Sequence, residues 1–328
     1  MGDSFFKQVS DFPLMLKAAL AFSKELPKIK KPSAIYISGL GGSAIGGDLV
    51  KNYLRDKIAI PITVVRDYLL PSSIKKEDLL ICVSYSGNTE EALSVFKSAL
   101  EKGINIAIIT SGGEIHRRAL KEQIPTVVVP AGLAPRSALP YLLISLLKVL
   151  EKAEVLPLQD RAILEASKFL SARKKIYDTK AKRLAKKLIG KIPIIFSSVG
   201  TTEACGYRLK CQFNENSKAT AHLCVFPELD HNEIVNLARL ESAASLFLLI
   251  LKDEEDHERI KKRIKITKEL IGKSIKESAE IRSEGEGRLC RMLSLVYFGD
   301  LVTYHLALAK KVDPREVYVI EKLKEALK

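Results

Sequence analysis

The sequence predicts an α/β protein with two doubly wound domains, in which each mostly parallel sheet is flanked by helices. Short, continuously apolar runs alternate with longer helical stretches, a pattern typical of parallel strands that are buried on both faces. The same alternation starts again in the second half of the chain. The 328 residues also exceed the size of one typical domain.

Five strands, separated by helical stretches, are predicted in the first half of the chain. An apolar stripe that includes Phe12, Leu16 and Leu26 predicts one helix over residues 1–30, which the prolines at 27 and 32 end. The strands are predicted over residues 34–38, 62–65, 79–84, 104–110 and 126–130. Long helical regions are predicted over residues 137–150 and 158–188.

The second half repeats this rhythm, which suggests an internal duplication, although no clear repeat of residues links the halves. Strands are predicted over residues 191–196, 221–226, 246–251 and 279–281, and helices over residues 287–310 and 317–328. We therefore expect an N-terminal domain over residues 1–155, a helical connection over 156–190 and a C-terminal domain over 191–328.

The composition, with 47% hydrophobic and 28% charged residues, is that of a folded soluble protein. Its longest apolar runs, at residues 141–147 and 243–251, are shorter than the ~20 residues of a membrane helix. Because the N-terminal residues also lack a signal-peptide pattern, we expect a cytoplasmic protein without a membrane segment. The five cysteines are scattered and suggest neither disulfides nor a zinc site.

The net charge of +14 raises the possibility of a nucleic-acid partner. The basic residues, however, are spread through helical stretches such as residues 173–187 and 257–276, which is typical of solvated helix faces. We therefore expect no nucleic-acid partner. The positive charge is compatible with a small anionic substrate.

A glycine-rich segment, residues 39–48, follows the first predicted strand and precedes a predicted helix. At the carboxyl end of a parallel strand, Gly42 and Ser43 could let backbone N–H groups approach an oxyanion. Two alternatives stay open. The glycines could serve only tight turns, or Gly39, Gly41 and Ala44 could form the G-x-G-x-x-A pattern of a nicotinamide-binding turn.

A second polar segment, residues 84–89, follows a very apolar strand and opens a helix. The hydroxyls of Ser84, Ser86 and Thr89 can converge with exposed N–H groups on a tetrahedral phosphate. An ordinary helix cap is the alternative, but a cap uses one hydroxyl and leaves the other two unexplained. The segment therefore predicts a phosphate-binding loop.

These motifs resemble those of the sugar isomerase (SIS) domain proteins. More narrowly, the chain resembles the archaeal-type bifunctional phosphoglucose/phosphomannose isomerases, which have two such domains. The resemblance covers most of the chain. It rests on residues 39–48, 84–91, 134–140 (APRSALP), 214–218 (NENSK) and 227–233 (PELDHNE).

The resemblance implies an isomerase that interconverts glucose 6-phosphate, and mannose 6-phosphate as well, with fructose 6-phosphate through a cis-enediolate. It implies no cofactor and no metal. Glu215, expected in a polar loop, corresponds to the base that moves the proton between C1 and C2. Arg136, at a strand-to-helix turn, would stabilise the enediolate or contact the phosphate. Taken alone, Arg136 could equally be an exposed arginine at a helix start.

Two further roles come from the resemblance. His231 would move protons during opening of the sugar ring, from the active site of the neighbouring subunit in a homodimer. The family also places a lysine near the carboxyl terminus in the active site. The apolar spacing of residues 317, 320 and 323 favours Lys324 for this role, and Lys322 is the alternative. Another sugar-phosphate isomerase of the same domain family and a non-catalytic sugar-phosphate sensor remain alternatives. The sensor is disfavoured because the ~25 residues before the first strand are too few for a DNA-binding helix-turn-helix.

Overall fold

The computed structural model describes residues 4–239 and 244–327. Contacts divide these residues into two compact units. The first unit contains residues 11–171 and 286–290. The second unit contains the remaining described residues, which are 4–10, 172–239, 244–285 and 291–327.

The first unit has a sheet of five parallel strands in the order β2-β1-β3-β4-β5. These strands are β1 (Ile35–Ser38), β2 (Ile62–Val65), β3 (Leu79–Ser84), β4 (Asn105–Thr110) and β5 (Thr126–Val128). Ser84 pairs with Thr110 at the end of the β3–β4 ladder. The carboxyl ends of neighbouring strands therefore lie at one edge of the sheet, where side chains from the following loops can meet.

Helices cover both faces of this sheet. They are α2 (Phe12–Ala19), α3 (Gly41–Leu54), α4 (Glu90–Glu101), α5 (Gly113–Lys121) and α6 (Leu139–Lys152), followed by the start of α7 (Asp160–Lys187). Successive strand residues point to opposite faces. Leu80 and Cys82 accordingly pack with Phe96 of α4 in one core cluster. On the other face, Ile37 lies against Gly47 of α3.

The second unit has a parallel sheet in the order β7-β6-β8-β9. Its strands are β6 (Ile192–Ser198), β7 (His222–Phe226), β8 (Leu246–Lys252) and β9 (Ser278–Arg282). Its helices are α1 (Ser4–Ser10), the end of α7, α8 (Glu203–Ser217), α9 (Glu233–Leu237), α10 (Glu258–Ile271), most of α11 (Gly287–Ala309) and α12 (Tyr318–Ala326). Phe196 and Ile250 share a core cluster with Ile264 of α10, whereas Ser197 lies against Gly206 of α8. This sheet is also covered on both faces.

These two layered units confirm the predicted α/β fold class. Both ends of each predicted strand lie within two residues of the ends of an observed strand. The predicted helix over residues 1–30 is wrong, because α1 ends at Ser10 and α2 ends at Ala19. Pro13 stands in the first turn of α2. Proline lacks an N–H group and its ring restricts the preceding residue, so a helix that arrives from the N-terminal side stops before it.

Among the described residues, one helix is long and apolar enough to cross a bilayer by length and composition alone. This helix is α11, and 83% of its qualifying window is buried inside the structure. A core helix of a globular protein has the same properties.

Candidate functional site

Four segments meet at the carboxyl edge of the first sheet, where they follow the neighbouring strands β1, β3, β4 and β5. We call them the strand-end cluster. Its segments are residues 39–43, 84–89, 110–113 and 130–136. Open parallel sheets bind ligands at this edge, because loops from adjacent strands surround a shared space there.

The 84–89 segment carries three hydroxyl groups, of which Ser84 is buried, Thr89 is half-buried and Ser86 is exposed. The Ser84 hydroxyl donates a hydrogen bond to Oγ1 of Thr89 at 3.1 Å. Thr89 is the residue that precedes α4, yet its side chain makes no capping hydrogen bond. This geometry differs from that of an ordinary serine or threonine helix cap. The N-terminus of α4 thus stays available to an anion from solvent.

Gly87 brings the loops after β3 and β4 together. It has a φ of +69°, and a Cβ atom at this position would lie 1.8 Å from the carbonyl oxygen of Gly112. The Ile115 N–H donates to the Gly87 carbonyl at 2.9 Å, and the Glu114 N–H donates to Oδ1 of Asn88 at 2.9 Å. A side chain at position 87 would therefore separate two of the four segments.

The loop after β4 was missed by the sequence reasoning. Residues 110–113 (Thr-Ser-Gly-Gly) follow a strongly apolar strand, just as residues 84–89 do. Ser111 donates from its backbone N–H, at 3.0 Å, and from its hydroxyl, at 2.6 Å, to the carbonyl oxygen of Tyr85. A polar, glycine-rich stretch directly after a buried strand was the available signal.

The glycine-rich segment packs closely against the other loops. Helix α3 begins inside this segment at Gly41, earlier than the sequence predicts. A Cβ atom on Gly42 would lie 2.9 Å from the carbonyl oxygen of Pro135, and one on Gly39 would lie 2.8 Å from that of Val83. Oγ of the buried Ser43 accepts a hydrogen bond from the Tyr85 N–H at 3.2 Å. Close backbone contact therefore explains Gly39 and Gly42.

Arg136 lies in a 3₁₀ turn, Pro135–Ala138, between β5 and α6. Only 3% of the residue is exposed, so the alternative of an exposed arginine at a helix start is wrong. A Cβ atom on Gly42 would lie 3.0 Å from Cα of Arg136, so the two backbones are in close contact. The first unit therefore brings together Arg136 with Gly42, Ser43 and the 84–89 segment.

Glu215 lies in the second unit, in the last turn of α8 rather than in a loop. It is half-buried. The helix ends at Ser217. The next residue, Lys218, has a left-handed conformation, and the Ala219 N–H closes the end by donating to the carbonyl of Phe213 at 3.0 Å. The Lys218 ammonium donates to the carbonyl of Glu215 at 2.9 Å. A cation at this position suits the negative end of the helix dipole.

A buried polar network holds α8 against α11. Asp300 accepts from Nε of Arg208 at 3.1 Å, from the second guanidinium nitrogen at 2.6 Å, and from Nε2 of Gln212 at 2.9 Å. One turn further along α8, Nδ2 of Asn216 donates to Oγ1 of Thr303 at 3.0 Å. The spacing of four residues places all three α8 side chains on one helix face. The network therefore extends to the residue next to Glu215.

His231 ends a short 3₁₀ turn, Glu228–His231, and is exposed. The turn is anchored on α10, because the buried carboxylate of Asp230 accepts from Arg263 at 2.8 Å and from Thr267 at 2.7 Å. The imidazole is thus carried by a fixed backbone and remains accessible.

Lys322 and Lys324 are both exposed on α12, a helix with no buried residue. The Lys322 ammonium lies 4.6 Å from the ring centre of Tyr318. Glu215, His231 and Lys324 therefore occupy three separate elements of the second unit.

The carboxyl edge of the second sheet has a different chemistry. After β8 comes an acidic segment, Asp253–Asp256, which with the basic side chains Lys252, Lys261 and Arg282 lines most of a cavity of 440 Å³. Nε of Arg291 lies 3.1 Å from the Asp253 carboxylate, and the Thr201 hydroxyl donates to Asp256 at 2.5 Å. This edge therefore carries carboxylates that are already paired with basic side chains, where the first unit carries hydroxyl groups.

Neither metal ligation nor thiol chemistry is indicated in the part of the chain that the structure describes. No group of three or more His, Cys, Asp or Glu residues there is arranged to hold a metal ion. All five cysteines are free thiols. Burial raises the pKa of Cys205 and of Cys224 to about 12, so both remain neutral near pH 7.

Comparisons with known proteins identify both halves of the chain. Residues 28–147 match the family model of the SIS domain, and residues 177–327 match that of the bacterial phospho-glucose isomerase C-terminal SIS domain. The chain is 40% identical to the bifunctional phosphoglucose/phosphomannose isomerase of Caldicellulosiruptor bescii, with 98% of each chain covered. It is 35% identical to the same-named protein of Thermoplasma volcanium, covering 98% of this chain and 99% of the relative.

A solved structure of a sugar-phosphate isomerase has a similar fold. The structure of tagatose-6-phosphate ketose/aldose isomerase from Escherichia coli superposes with a TM-score of 0.73 over 96% of this chain and 95% of that one, at 13% sequence identity. This match supports the fold alone.

Proposed function

The chain belongs to the bifunctional phosphoglucose/phosphomannose isomerase family, and we propose that it interconverts glucose 6-phosphate and mannose 6-phosphate with fructose 6-phosphate. The observation that carries this proposal is the 40% identity to a relative of that name over 98% of both chains. The domain division at residues 1–155, 156–190 and 191–328 remains part of the proposal.

The phosphate of the substrate binds at the strand-end cluster in this proposal. Three observations support this binding site. They are the hydroxyls of Ser84, Ser86 and Thr89, the N-terminus of α4, and the close backbone packing that Gly42 and Ser43 permit. A dianionic phosphate gains from hydroxyl donors and from the positive end of a helix dipole. The phosphate group anchors the sugar and takes no part in the bond changes.

The chemical step moves a proton between C1 and C2 of the open-chain sugar. A carboxylate at Glu215 removes the proton from one carbon and returns it to the other, while the carbonyl and hydroxyl oxygens exchange roles. The intermediate enediolate has no stereocentre at C2, so glucose and mannose phosphates form the same intermediate. One base can serve both aldoses if the intermediate rotates so that either face of C2 is presented to it, and the buried guanidinium of Arg136 stabilises the negative oxygen.

His231 assists ring opening by taking a proton from the ring hydroxyl and returning it to the ring oxygen. We propose that it does so in the partner subunit of a homodimer. Its exposure on a fixed turn supports a role outside its own subunit. Lys324 is proposed as a further active-site cation from the terminal helix. The enzyme would act in the cytoplasm, without a cofactor or metal and without a nucleic-acid or membrane partner.

Substitution of Glu215 by Gln tests the base directly. The amide keeps the size of the side chain but cannot accept the proton, so kcat on both sugar phosphates should fall about 10²–10⁴-fold. Glu203→Gln is the matched control. It makes the same change about 18 Å away along α8, at 1.5 Å per residue, and should leave kcat near the wild-type value. An active Glu215→Gln enzyme would remove Glu215 from this role.

A coupled assay with purified protein, glucose 6-phosphate or mannose 6-phosphate, and EDTA tests the reaction itself. We expect turnover of both sugars in the presence of EDTA. Loss of activity with EDTA would contradict the metal-free mechanism. Absence of turnover on either sugar would favour another sugar-phosphate isomerase of the SIS family.

A further inference from the structure

Tyr85 contacts every other segment of the strand-end cluster. It lies between Ser84 and Ser86, and only 6% of it is exposed. Its N–H donates to Oγ of Ser43 at 3.2 Å, and its carbonyl accepts the two hydrogen bonds from Ser111. Its phenol oxygen bonds to the segment that leads to Arg136. One buried residue therefore joins all four segments.

The two hydrogen bonds of the phenol have a specific geometry. The hydroxyl donates to the carbonyl of Pro130 at 2.9 Å and accepts from the N–H of Leu133 at 2.9 Å. In a common β-turn, the first carbonyl accepts directly from the N–H three residues later. Here the Tyr85 oxygen stands between these two groups and satisfies both. It thus closes the bend of the backbone at residues 131–133, which we call the turn at residues 130–133.

This turn ends two residues before the 3₁₀ turn that carries Arg136. Gly132, inside the turn, has a φ of +86°, a conformation that few other residues adopt easily. Because the turn is closed through a side chain of the phosphate loop, its position depends on that loop. We infer that Tyr85 is a positioning residue, which holds Arg136 in register with the phosphate-binding loop.

The inference rests on the proposed function, in which Arg136 stabilises the enediolate. A phenol is suited to this task because one oxygen can donate and accept at the same time. Burial raises the pKa of Tyr85, so the hydroxyl keeps its proton and its donor capacity near neutral pH. The backbone bonds of Tyr85 to Ser43 and Ser111 do not depend on the phenol.

Tyr85→Phe is the variant that isolates the phenol oxygen. The ring and the backbone bonds remain, so the KM for glucose 6-phosphate should change by less than about threefold. The turn loses its closure, and a displacement of Arg136 by a fraction of an ångström should lower kcat about 10–100-fold. Tyr36→Phe is the matched control. Tyr36 is also 6% exposed in the first unit, and its hydroxyl lies 3.0 Å from Oγ of Ser73, outside the cluster.

A double variant separates positioning from general destabilisation. If Tyr85 acts through Arg136, Tyr85→Phe should lower kcat by less than about twofold when Arg136 is already replaced by Lys. An equal loss of kcat in both backgrounds would overturn the inference. So would an unchanged kcat in the single variant, or equal losses of kcat in Tyr85→Phe and Tyr36→Phe.

Hydrogen exchange provides a readout that does not require isomerase activity. The amide of Leu133, which donates to the Tyr85 hydroxyl, should exchange at least about tenfold faster in Tyr85→Phe than in the wild type and in Tyr36→Phe. Unchanged exchange would overturn the inference even if the enzyme is an isomerase. Faster exchange in a protein without isomerase activity would retain the link between Tyr85 and this segment while rejecting the proposed function.

Discussion

Replacing Asp300 with Asn is expected to destabilise the protein by about 3 kcal/mol. Asp300 and Arg208 form an ion pair whose side chains are only 6% and 4% exposed, and Asp300 also accepts from Gln212. Removing one partner of a buried pair typically costs about 3–5 kcal/mol. The lower end applies here because the amide oxygen of asparagine retains one acceptor, while its NH₂ group faces the guanidinium as a second donor.

Urea unfolding followed by circular dichroism measures this loss as a lower transition midpoint at an unchanged slope. The control is Glu258→Gln, which makes the same carboxylate-to-amide change in an exposed pair with Lys261. It should leave the unfolding midpoint close to that of the wild type. If Asp300→Asn were as stable as this control, burial of the ion pair would not explain the cost of removing its charge.

The same variant should also lower kcat. The network fixes the end of α8 through Asn216, and Glu215 is the preceding residue. Loosening the other end of the network at Asp300 therefore increases the range of positions of the proposed base. Misplacement of a catalytic group by about 1 Å can cost up to about 10² in rate. A normal kcat in a destabilised variant would show that Arg208 and Gln212 stabilise α8 without positioning Glu215.

Two further predictions concern the phosphate loop and acid stability. Gly87→Ala should raise the KM for glucose 6-phosphate at least about tenfold, because the new Cβ would collide with Gly112, whereas Gly103→Ala has a similar positive φ in open space and should leave KM unchanged. The ammonium of Lys252 helps to lower the pKa of Glu280 from 4.5 to about 2, so this carboxylate stabilises the fold above pH 4.5 and loses that effect as the pH falls to 2. In Glu280→Gln, the unfolding free energy measured with urea should depend less on pH between 4.5 and 2. The same pH dependence in the variant and the wild type would contradict this prediction.

Much of the fold could be predicted from the sequence, because parallel strands buried on both faces form continuous apolar runs. Strand β3 is one example, since all six of its residues are buried and the sequence marks both of its ends. The position of the 84–89 segment was predictable for the same reason. Three hydroxyl residues directly after a buried strand must lie at the carboxyl edge of the sheet.

The environment of Glu215 could not be predicted in the same way. Asn216 and Ser217 gave this stretch the polarity of a loop, yet both are fully buried inside a helix. Their partner, Thr303, is 87 residues from Asn216 along the chain. Local patterns do not record such long-range hydrogen bonds, which here satisfy buried polar groups. The roles of Tyr85 and Ser111 were hidden for the same reason.

The two units show why one architecture can carry different chemistry at the same edge. In each sheet, the third strand in chain order, β3 or β8, lies beside the first on the side away from the second. The segment after β3 offers hydroxyls and an uncapped helix end, whereas the segment after β8 offers carboxylates that already bind Arg291 and Thr201. The apolar residues inside the sheet determine the strand order. The few residues just beyond the strands determine which ligand charge the edge can bind. This contrast is the reason why our proposal assigns the phosphate to the edge of the first sheet.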